Sequence, residues 1–553
     1  MNYNNNASRL KREVMIRSAR LALEGRLAEG ADRIPYEMTA EGWETIRCCK
    51  HHDRAILRLR TMAVLGADPE GLDDADRPLA DCAREALARA AAAPEARKEA
   101  VAGRRPLALI GEACNACVKT RYLVTEACQG CLARPCKMNC PKGALVVEGG
   151  RARIDPAKCV NCGLCMKNCP YTAIVKLPVP CEEACPVGAI SKGVDGVERI
   201  DHDKCVLCGK CVRECPFGAV VERSELVDVA LELKAGKPAV ALVAPAVAVQ
   251  FPGGLGRLKA ALRLLGFAAV MEVARGAETT AEREAEELVE RMEKGEGFLA
   301  TSCCPAWTRT ARKHLPALLA NVSSTPSPMA FAAELAAREA PGALRVFVGP
   351  CAAKRGEAAE NPLVDRVLTA EELGALFVAA GVDVGALEPE DATGAAPGAR
   401  AFAASGGVAA AVAARLSGAD AGAASAGAAP RLLVVNGISK QGLKLMETWA
   451  AKPPEADLVE VMACEGGCVG GACVLANPRL AKLELDRMVA AAATSAAAIA
   501  VPAAAKASAP AAAAPHPAAA AIAVPAAGAR PAAASLAASA PRVAEAAASA
   551  AAM

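Results

Sequence analysis

The chain has few aromatic residues, few histidines and almost no net charge. Phe, Trp and Tyr make up 3% of its 553 residues, His occurs 5 times, and the formal net charge is +3. The shortage of aromatic side chains argues against a stacking surface for single-stranded nucleic acid. The balanced charge gives no reason to expect a polyanionic partner. We therefore expect no nucleic-acid partner.

Long apolar segments are also missing. The first residues, MNYNNNASRLKREVMIR, contain no apolar core typical of a signal peptide. The alanine runs near the C-terminus are broken by prolines and too weakly hydrophobic for a membrane span. Cysteine, in contrast, occurs 25 times, and without a secretion signal so many cysteines favour metal binding over disulfides. We expect a cytoplasmic protein with no membrane span.

Changes in composition predict four regions. Residues 1–105 carry mostly helical patterns, and residues 106–225 hold most of the cysteines. Residues 226–487 alternate strand-like runs such as AVALVAP with helical ones, which predicts an α/β domain. Residues 488–553 are rich in Ala and Pro. They lack the large apolar side chains that offset the entropy cost of ordering, so we expect a disordered tail.

Two runs in the cysteine-rich region share the spacing C-x2-C-x2-C-x3-C-P. Three cysteines at two-residue intervals bind one cubane, while the cysteine before the proline binds the neighbouring cluster. Zinc sites, the alternative, usually have two separated C-x2-C knuckles and need no such proline. The runs therefore favour [4Fe-4S] clusters. Their cysteines are Cys159, Cys162, Cys165 and Cys169 in the first run, and Cys205, Cys208, Cys211 and Cys215 in the second.

Incomplete runs accompany these two. They supply Cys128, Cys131, Cys136 and Cys140, then Cys181 and Cys185, and upstream Cys114 and Cys117. The region thus holds sixteen cysteines, the number that four cubanes with four ligands each require. It resembles the tandem double-ferredoxin electron-transfer subunits of anaerobic oxidoreductases.

The crossing of ligands between neighbouring clusters predicts a partition. The four sets are Cys128, Cys131, Cys136 and Cys169; Cys159, Cys162, Cys165 and Cys140; Cys205, Cys208, Cys211 and Cys185; and Cys114, Cys117, Cys181 and Cys215. The fourth set is reached by elimination. Three clusters with spare structural thiols are the alternative.

Three short segments downstream carry further cysteines. They are TSCCPAW at Thr301–Trp307, GPCAAKRGE at Gly349–Glu357 and EVMACEGGCVGG at Glu460–Gly471. In this order they resemble the three signature motifs of the [FeFe]-hydrogenase catalytic domain. The forms GPCAAK and MACEGGC resemble the group B branch of that family. The resemblance covers residues from about 105 to 485.

The resemblance implies a fold and a cofactor. The fold class expected is an α+β multidomain protein, with tandem ferredoxin-like βαβ cluster domains followed by an α/β [FeFe]-hydrogenase catalytic domain of two lobes. The cofactor, the H-cluster, is a [4Fe-4S] cubane joined through a cysteine sulfur to a di-iron unit with CO, cyanide and a bridging dithiolate. Its implied ligands are Cys304, Cys351, Cys464 and Cys468, with Cys468 as the bridge.

The resemblance also implies a proton path. Its inner end is Cys303, since a thiol of pKa ~8.5 gives and recovers a proton near neutrality. The path to solvent continues through Glu284, Glu287, Ser323 and Arg291. Glu284, Glu287 and Arg291 are spaced to share one helix face. The alternative is a solvated face, which is typical of helices so rich in glutamate.

The same resemblance implies the remaining pocket residues. Lys354 is expected to place its ammonium against a cyanide ligand, with a plain surface charge as the alternative. The other implied pocket residues are Ala244, Pro245, Met462, Ser405 and Gly406. The chain departs from the usual family pattern at Gly349, at Ala246 and at the additional Cys473.

The expected function is reversible H2 oxidation and proton reduction at the H-cluster. Electrons are expected to pass through the [4Fe-4S] clusters to ferredoxin or a similar carrier, and dedicated maturases to build the di-iron unit. The alternatives are an H2 or redox sensor and a hydrogenase-like iron–sulfur assembly protein without turnover. For Cys48, Cys49 and Cys82, structural packing is favoured over a metal site in RCCKHHDR.

Overall fold

The computed structural model describes residues 5–40, 42–70, 77–101, 103–119, 121–391, 394–416 and 429–499. These residues lie in one compact unit. Within the described ranges, no helix combines the length and the apolar character needed to cross a membrane. Most of the predicted tail, from residue 500 onward, lies outside the described residues.

The N-terminal region is helical, as its amphipathic patterns predict. Helix α1 begins after Asn5, whose side chain accepts the Ser8 N–H at 2.9 Å, and ends at Gly25 with φ of 80°. The helices of this region are α1 (Asn6–Glu24), α2 (Leu27–Gly30), α3 (Ile34–Met38), α4 (Lys50–Val64), α5 (Leu79–Ala91) and α6 (Pro94–Val101).

The cysteine-rich region consists of short strands and single-turn helices. The strands are β1 (Leu107–Leu109), β2 (Arg121–Val124), β3 (Leu145–Glu148), β4 (Arg151–Ile154), β5 (Ile174–Leu177), β6 (Ile190–Lys192), β7 (Glu198–Ile200) and β8 (Val220–Glu222). The helices are α7 (Pro135–Met138), α8 (Leu164–Lys167), α9 (Pro180–Ala184) and α10 (Lys210–Glu214). The strands pair antiparallel as β1–β8, β2–β5, β3–β4 and β6–β7. The loops and short helices between these strands carry the cysteines.

The following region is the α/β part of the chain, and its strands form two parallel sheets. Its strands are β9 (Ala239–Val243), β10 (Ala269–Glu272), β11 (Leu299–Ala300), β12 (Leu344–Gly349), β13 (Arg366–Thr369), β14 (Leu432–Asn436) and β15 (Leu458–Met462). The strand orders are β10-β9-β12-β13 and β11-β15-β14. These two sheets fit the predicted α/β domain of two lobes.

Helices surround these sheets, as parallel strands require. They are α11 (Leu226–Lys234), α12 (Pro245–Ala248), α13 (Gly254–Leu264), α14 (Ala274–Lys294), α15 (Pro305–His314), α16 (Pro328–Glu339), α17 (Ala353–Glu360), α18 (Ala370–Ala380), α19 (Pro397–Arg400), α20 (Gly407–Leu416), α21 (Lys440–Glu447) and α22 (Pro478–Ile499). All five residues of β9 and of β15 are buried. The carboxyl ends of the strands therefore meet loops inside the protein.

Charged contacts attach the N-terminal helices to the α/β region. In α1, Lys11 and Arg12 pair with the buried Glu371 of α18 at 2.6 and 2.9 Å. The carboxylate of Glu232 in α11 forms ion pairs with Arg97 of α6 and Arg366 of β13, each with an N–O distance of 2.9 Å. Removing one partner of such a buried pair costs about 3–5 kcal/mol. The N-terminal region is thus an integral part of the packed unit.

The predicted boundary between residues 487 and 488 falls inside α22. That helix continues to Ile499, and Leu485 before the boundary is fully buried. Alanine has the highest helix propensity of all residues, which favours continuation of the helix into the Ala-rich sequence.

Candidate metal centre

Four C-x2-C segments of the cysteine-rich region, those that begin at Cys114, Cys128, Cys159 and Cys205, share one backbone conformation. In these four, the residue just before the second cysteine has positive φ: Ala116 43°, Gly130 59°, Asn161 56° and Leu207 60°. Non-glycine residues seldom adopt this conformation, so its recurrence indicates one common turn. The upstream segment from Cys114 to Cys117 has the same turn as the complete runs.

The first two predicted sets each come together in the structure. Burial raises the pKa of the Cys136 thiol, and charge on three neighbours raises it further; these are Cys128, Cys131 and Cys169. The members of the second set line one small cavity; they are Cys140, Cys159, Cys162 and Cys165. In both sets the cysteine before the proline lies with the other run, as the crossing rule predicts.

The third and fourth sets lie nearer the α/β region. Burial raises the pKa of the Cys211 thiol well above its usual value, and charge on nearby thiols adds to this; they are Cys208, Cys205, Cys185 and Cys181. In the fourth set, burial raises the pKa of the Cys117 thiol, and charge on Cys114 and Cys215 raises it further. Burial also raises the pKa of Cys181 to about 12, again with a contribution from Cys215. The set reached by elimination is thus spatially coherent.

The three hydrogenase-like segments meet at one cavity. Cys303 and Cys304 follow β11, Cys351 follows β12, and Cys464 and Cys468 follow β15. All five cysteines line this cavity. Burial raises the pKa of Cys464 well above its usual value, with charge on Cys351, Cys304 and Cys468 adding to it. The two sheets therefore bring together, at their carboxyl ends, segments that are far apart in sequence.

The residues around the cavity fit a large thiolate-bound group. Backbone approaches closely there, because a Cβ on Gly471 would stand 2.5 Å from the Pro350 carbonyl oxygen. Among the described residues, no three His, Cys, Asp or Glu side chains are arranged to hold a single metal ion.

The third set lies next to this cavity. Cys208 lines the cavity together with Cys304, Cys351 and Cys464. Charge on Cys208 also contributes to the raised pKa of Cys464. A cluster held by the third set would therefore be the neighbour of a cluster held in the cavity.

Cys303 stands between the cavity and a buried carboxyl group. Burial raises the pKa of its thiol well above the usual value, and charge on Glu284 raises it further. Burial likewise raises the pKa of Glu284 to about 7. Glu284 Oε1 accepts hydrogen bonds from the Ser302 N–H at 2.8 Å and from Ser302 Oγ at 3.1 Å. The carboxyl group is thus fixed beside Cys303, and its other oxygen, Oε2, is buried without a hydrogen bond.

The predicted path continues toward solvent through Ser323 and Glu287. Ser323 Oγ donates to Glu287 Oε2 at 2.6 Å. Ser323 also lines a polar cavity of about 390 Å³ at the surface, as do Ser302 and Glu357. The guanidinium of Arg291, the predicted outer end, contacts the Ala320 carbonyl and lies 3.7 Å from Glu296. The structure thus brings the inner members of the path together; they are Cys303, Glu284, Ser323 and Glu287. Arg291 instead contacts Ala320 and Glu296.

Lys354 reaches the cavity and is held there by two polar groups. Its ammonium donates to Glu357 Oε2 at 2.7 Å and to Ser327 Oγ at 3.1 Å. Burial by itself lowers the pKa of Lys354, but the charge of Glu357 outweighs this, so the pKa is raised. Lys354 therefore presents a fixed positive charge to the cavity.

The other predicted pocket residues divide into two groups. Ala244, Pro245 and Met462 line the cavity. Ser405 and Gly406 lie behind its wall, where the Ser405 N–H donates to the Gly466 carbonyl at 3.2 Å. Their turn supports the loop that carries Cys464 and Cys468.

The sequence did not single out Glu460, Ser302 or Glu357. Glu460 is fully buried in β15 and accepts N–H groups of Gly406 and Ala409 at 2.7 and 2.8 Å. Burial raises its pKa, and it holds the turn before α20 against the strand. A single charge inside the apolar run LVEVM was the available signal.

The arrangement defines an iron–sulfur protein in which sets of cysteines lead to a buried cysteine-lined cavity. Residues 237–472 match the family described as iron only hydrogenase large subunit, C-terminal domain. Residues 151–174 and 198–221 match 4Fe-4S binding domains. Residues 237–472 are therefore similar to the catalytic domain of the iron-only, or [FeFe], hydrogenases.

Individual proteins are similar to parts of the chain. Iron hydrogenase 1 of Clostridium pasteurianum is 30% identical over 42% of this chain and 48% of its own length. The periplasmic [Fe] hydrogenase large subunit of Nitratidesulfovibrio vulgaris is 34% identical over 42% of this chain and 58% of its own length. The chain thus spans about half the length of these relatives. A solved apo [FeFe]-hydrogenase from Chlamydomonas reinhardtii is 27% identical, covering 45% of this chain and 84% of that one with a TM-score of 0.38.

Proposed function

We propose that the protein is an [FeFe]-hydrogenase that interconverts H2 with protons and electrons at an H-cluster held in the cysteine-lined cavity. The observation that carries this proposal is the convergence of the three segments on one cavity, with Cys303 and Glu284 beside it. The ligands would be Cys304, Cys351, Cys464 and Cys468. When bound, the di-iron unit supplies an open Lewis-acidic metal site for heterolytic H2 chemistry.

The residues around the cavity have separate tasks in this proposal. Lys354 holds a positive charge toward the anionic cyanide ligands, and Glu357 keeps its ammonium in place. Ala244, Pro245 and Met462 form an apolar wall that excludes water. Cys303 exchanges protons with the reacting site, and Glu284 exchanges them with Cys303.

Proton transfer to solvent is helped by a buried group that titrates near the working pH. The carboxyl group of Glu284, with a pKa of about 7, suits this task, because acid–base catalysis is best when the pKa lies near the operating pH. Ser323 and Glu287 then connect the buried end with the polar cavity at the surface. The contacts of Arg291 make it a support for the end of α14 in this scheme rather than a carrier.

Electrons are proposed to enter and leave through four [4Fe-4S] clusters in residues 106–225. The third set is adjacent to the cavity. The fourth set is adjacent to the third, because its Cys181 lies near Cys211. The first and second sets then form the outer end, where ferredoxin or a similar carrier would exchange electrons.

An infrared spectrum of anaerobically matured protein tests the proposal. We expect CO and cyanide stretching bands that shift under H2, together with H2-dependent reduction of a viologen dye. Bands without turnover would indicate a sensor. Absence of both, when the same maturation system activates a control hydrogenase, would overturn the proposal and leave an electron-transfer or assembly protein.

A further inference from the structure

Two exposed cysteines, Cys48 and Cys49, lie side by side at the beginning of α4, outside the hydrogenase-like region. Their Sγ atoms are 3.9 Å apart, and Nδ1 of His52 is 3.3 Å from Cys48 Sγ. The sequence favoured structural packing for these cysteines. Both thiols are exposed, however, while Cys82 is buried. Packing therefore accounts for Cys82 and does not account for the pair.

The two thiols have different environments. Cys49 is the N-cap of the 15-residue helix α4, where the N–H groups of the first turn stabilise a thiolate. The N–H of His52 lowers the pKa of Cys49 in this way, while a hydrogen bond with Cys49 raises the pKa of Cys48. The carboxylate of Asp53, the nearest acidic group in α4, opposes the lowering. Cys49 is thus the nucleophile of the pair, and Cys48 holds the proton.

His52 is oriented to remove that proton. Its Nε2 is 3.0 Å from the carbonyl oxygen of Glu112. A carbonyl oxygen can only accept a hydrogen bond, so Nε2 carries the hydrogen and Nδ1 is the basic nitrogen of the neutral ring. That basic nitrogen faces Cys48 Sγ. The ring therefore serves as the base for Cys48.

The segment carrying the pair is held in place by neighbouring contacts. Arg47 donates to the Ala113 carbonyl at 2.7 Å and stacks over the ring of Phe217, with 5.2 Å between guanidinium carbon and ring centroid. The Trp43 indole and the Ile46 N–H both donate to Asp53 Oδ2, at 2.9 and 3.0 Å. The thiols are therefore presented on an anchored loop, close to the segment that leads to Cys114.

We propose that Cys48 and Cys49 form a thiol–disulfide exchange site for small organic disulfides. The Cys49 thiolate attacks one sulfur of the disulfide, which forms a mixed disulfide and releases the first thiolate. His52 then takes the proton of Cys48, whose sulfur attacks Cys49 Sγ, closes a Cys48–Cys49 disulfide and releases the second thiolate. In total, two protein thiols are oxidised and one external disulfide is reduced to two thiols.

The test uses the cluster-loaded full-length protein, kept anaerobic and treated with glutathione disulfide. Samples are quenched with acid, alkylated and analysed by peptide mapping. We expect the peptide with both cysteines to lose two hydrogens, and two glutathione thiols to appear for each chain. The reaction should be several-fold faster than that of a synthetic peptide of residues 44–53. This peptide lacks helix α4 and the hydrogen bond between His52 and the Glu112 carbonyl. An unchanged iron content shows that the clusters do not take part.

Three variants separate the steps. Cys48→Ser should stop at a mixed disulfide on residue 49, and Cys49→Ser should slow the first step several-fold. His52→Gln should leave the first step unchanged and let the mixed disulfide accumulate. A reaction no faster than that of the synthetic peptide, or mixed disulfides at both cysteines without ring closure, would overturn the proposal. These outcomes do not depend on hydrogenase activity, so they are independent of the proposed function.

Discussion

In the proposed function, proton exchange at the cavity depends on Cys303. Its side chain is buried between the candidate ligands and Glu284. We predict that Cys303→Ser reduces H2 turnover about 10²–10⁴-fold, the range for loss of a positioned acid–base group, because a serine hydroxyl is a far weaker acid than a thiol in the same buried position. The CO and cyanide bands should remain. Viologen-linked H2 oxidation and infrared spectra of the same sample check both parts, and near-normal turnover would contradict the role of Cys303.

Glu284 gives a second prediction, on pH. Burial raises the pKa of this carboxyl group to about 7, so it is protonated below that pH and ionised above it. We expect a carboxylic-acid band in the infrared spectrum that titrates near pH 7 and is missing in Glu284→Gln. Glu284→Gln should also lose turnover.

The matched control for Glu284 is Glu290→Gln. Glu290 lies on the exposed side of the same helix. This variant should keep both the band and the activity. A band that persists in Glu284→Gln would show that another acid titrates there.

Residues that belong to a sequence motif could be singled out from the sequence. The cysteine positions and Cys303 stand at fixed spacings in short segments, and the structure brings them together. Glu460 and Ser302 could not be found this way, because their importance arises from hydrogen bonds between segments far apart in sequence. The contacts of Arg291 with Ala320 and Glu296 could not be predicted either, since helical spacing gives the face of a side chain but not its hydrogen-bond partners.

At the scale of elements, the loop after β15 controls the shape of the cavity. Gly467 has φ of 86°, and a Cβ there would stand 2.5 Å from the Ser405 backbone nitrogen. We predict that Gly467→Ala displaces the loop that carries Cys464 and Cys468. A displacement of about 1 Å costs on the order of 100-fold in rate, so H2 turnover should fall by about that factor. Turnover and iron content of the purified variant are the measurements.

The neighbouring Gly466 offers a matched control. Its φ is 82°, but a Cβ there would meet no atom within 4 Å. Gly466→Ala therefore also places a side chain at positive φ, at a cost of about 1–2 kcal/mol, but without the collision. It should lose stability but keep its turnover. Equal loss of turnover in both variants would show that strain, rather than the collision with the Ser405 turn, is responsible.

The type of most elements could be predicted from the sequence, while their packing could not. Runs such as AVALVAP became fully buried parallel strands, as their continuous apolar character predicts. The association of α1 with α18 depends on Lys11 and Glu371, which are 360 positions apart. No local pattern contains such a pairing, and therefore the integration of the N-terminal helices became visible only in the folded chain.

At the scale of the whole molecule, the sets of cysteines have a spatial order. The third set lies beside the cavity, and the fourth lies beside the third. The first and second sets are built on the separate strand pairs β2–β5 and β3–β4. This order matches a path for electrons from the cavity outward, and it depends on the fourth set actually holding a cluster.

The iron content of variant proteins tests the fourth set. Protein produced without the maturases should contain about 20 iron atoms for each chain, from five cubanes. We predict that Cys117→Ala combined with Cys181→Ala lowers this number by about four, the content of one cubane, and removes one cluster from the reduced electron paramagnetic resonance spectrum. Cys82→Ala, which changes a buried cysteine of α5, is the control and should keep all of the iron. An unchanged iron content in the double variant would favour three clusters with spare thiols, and the electron path would then have to end at the third set.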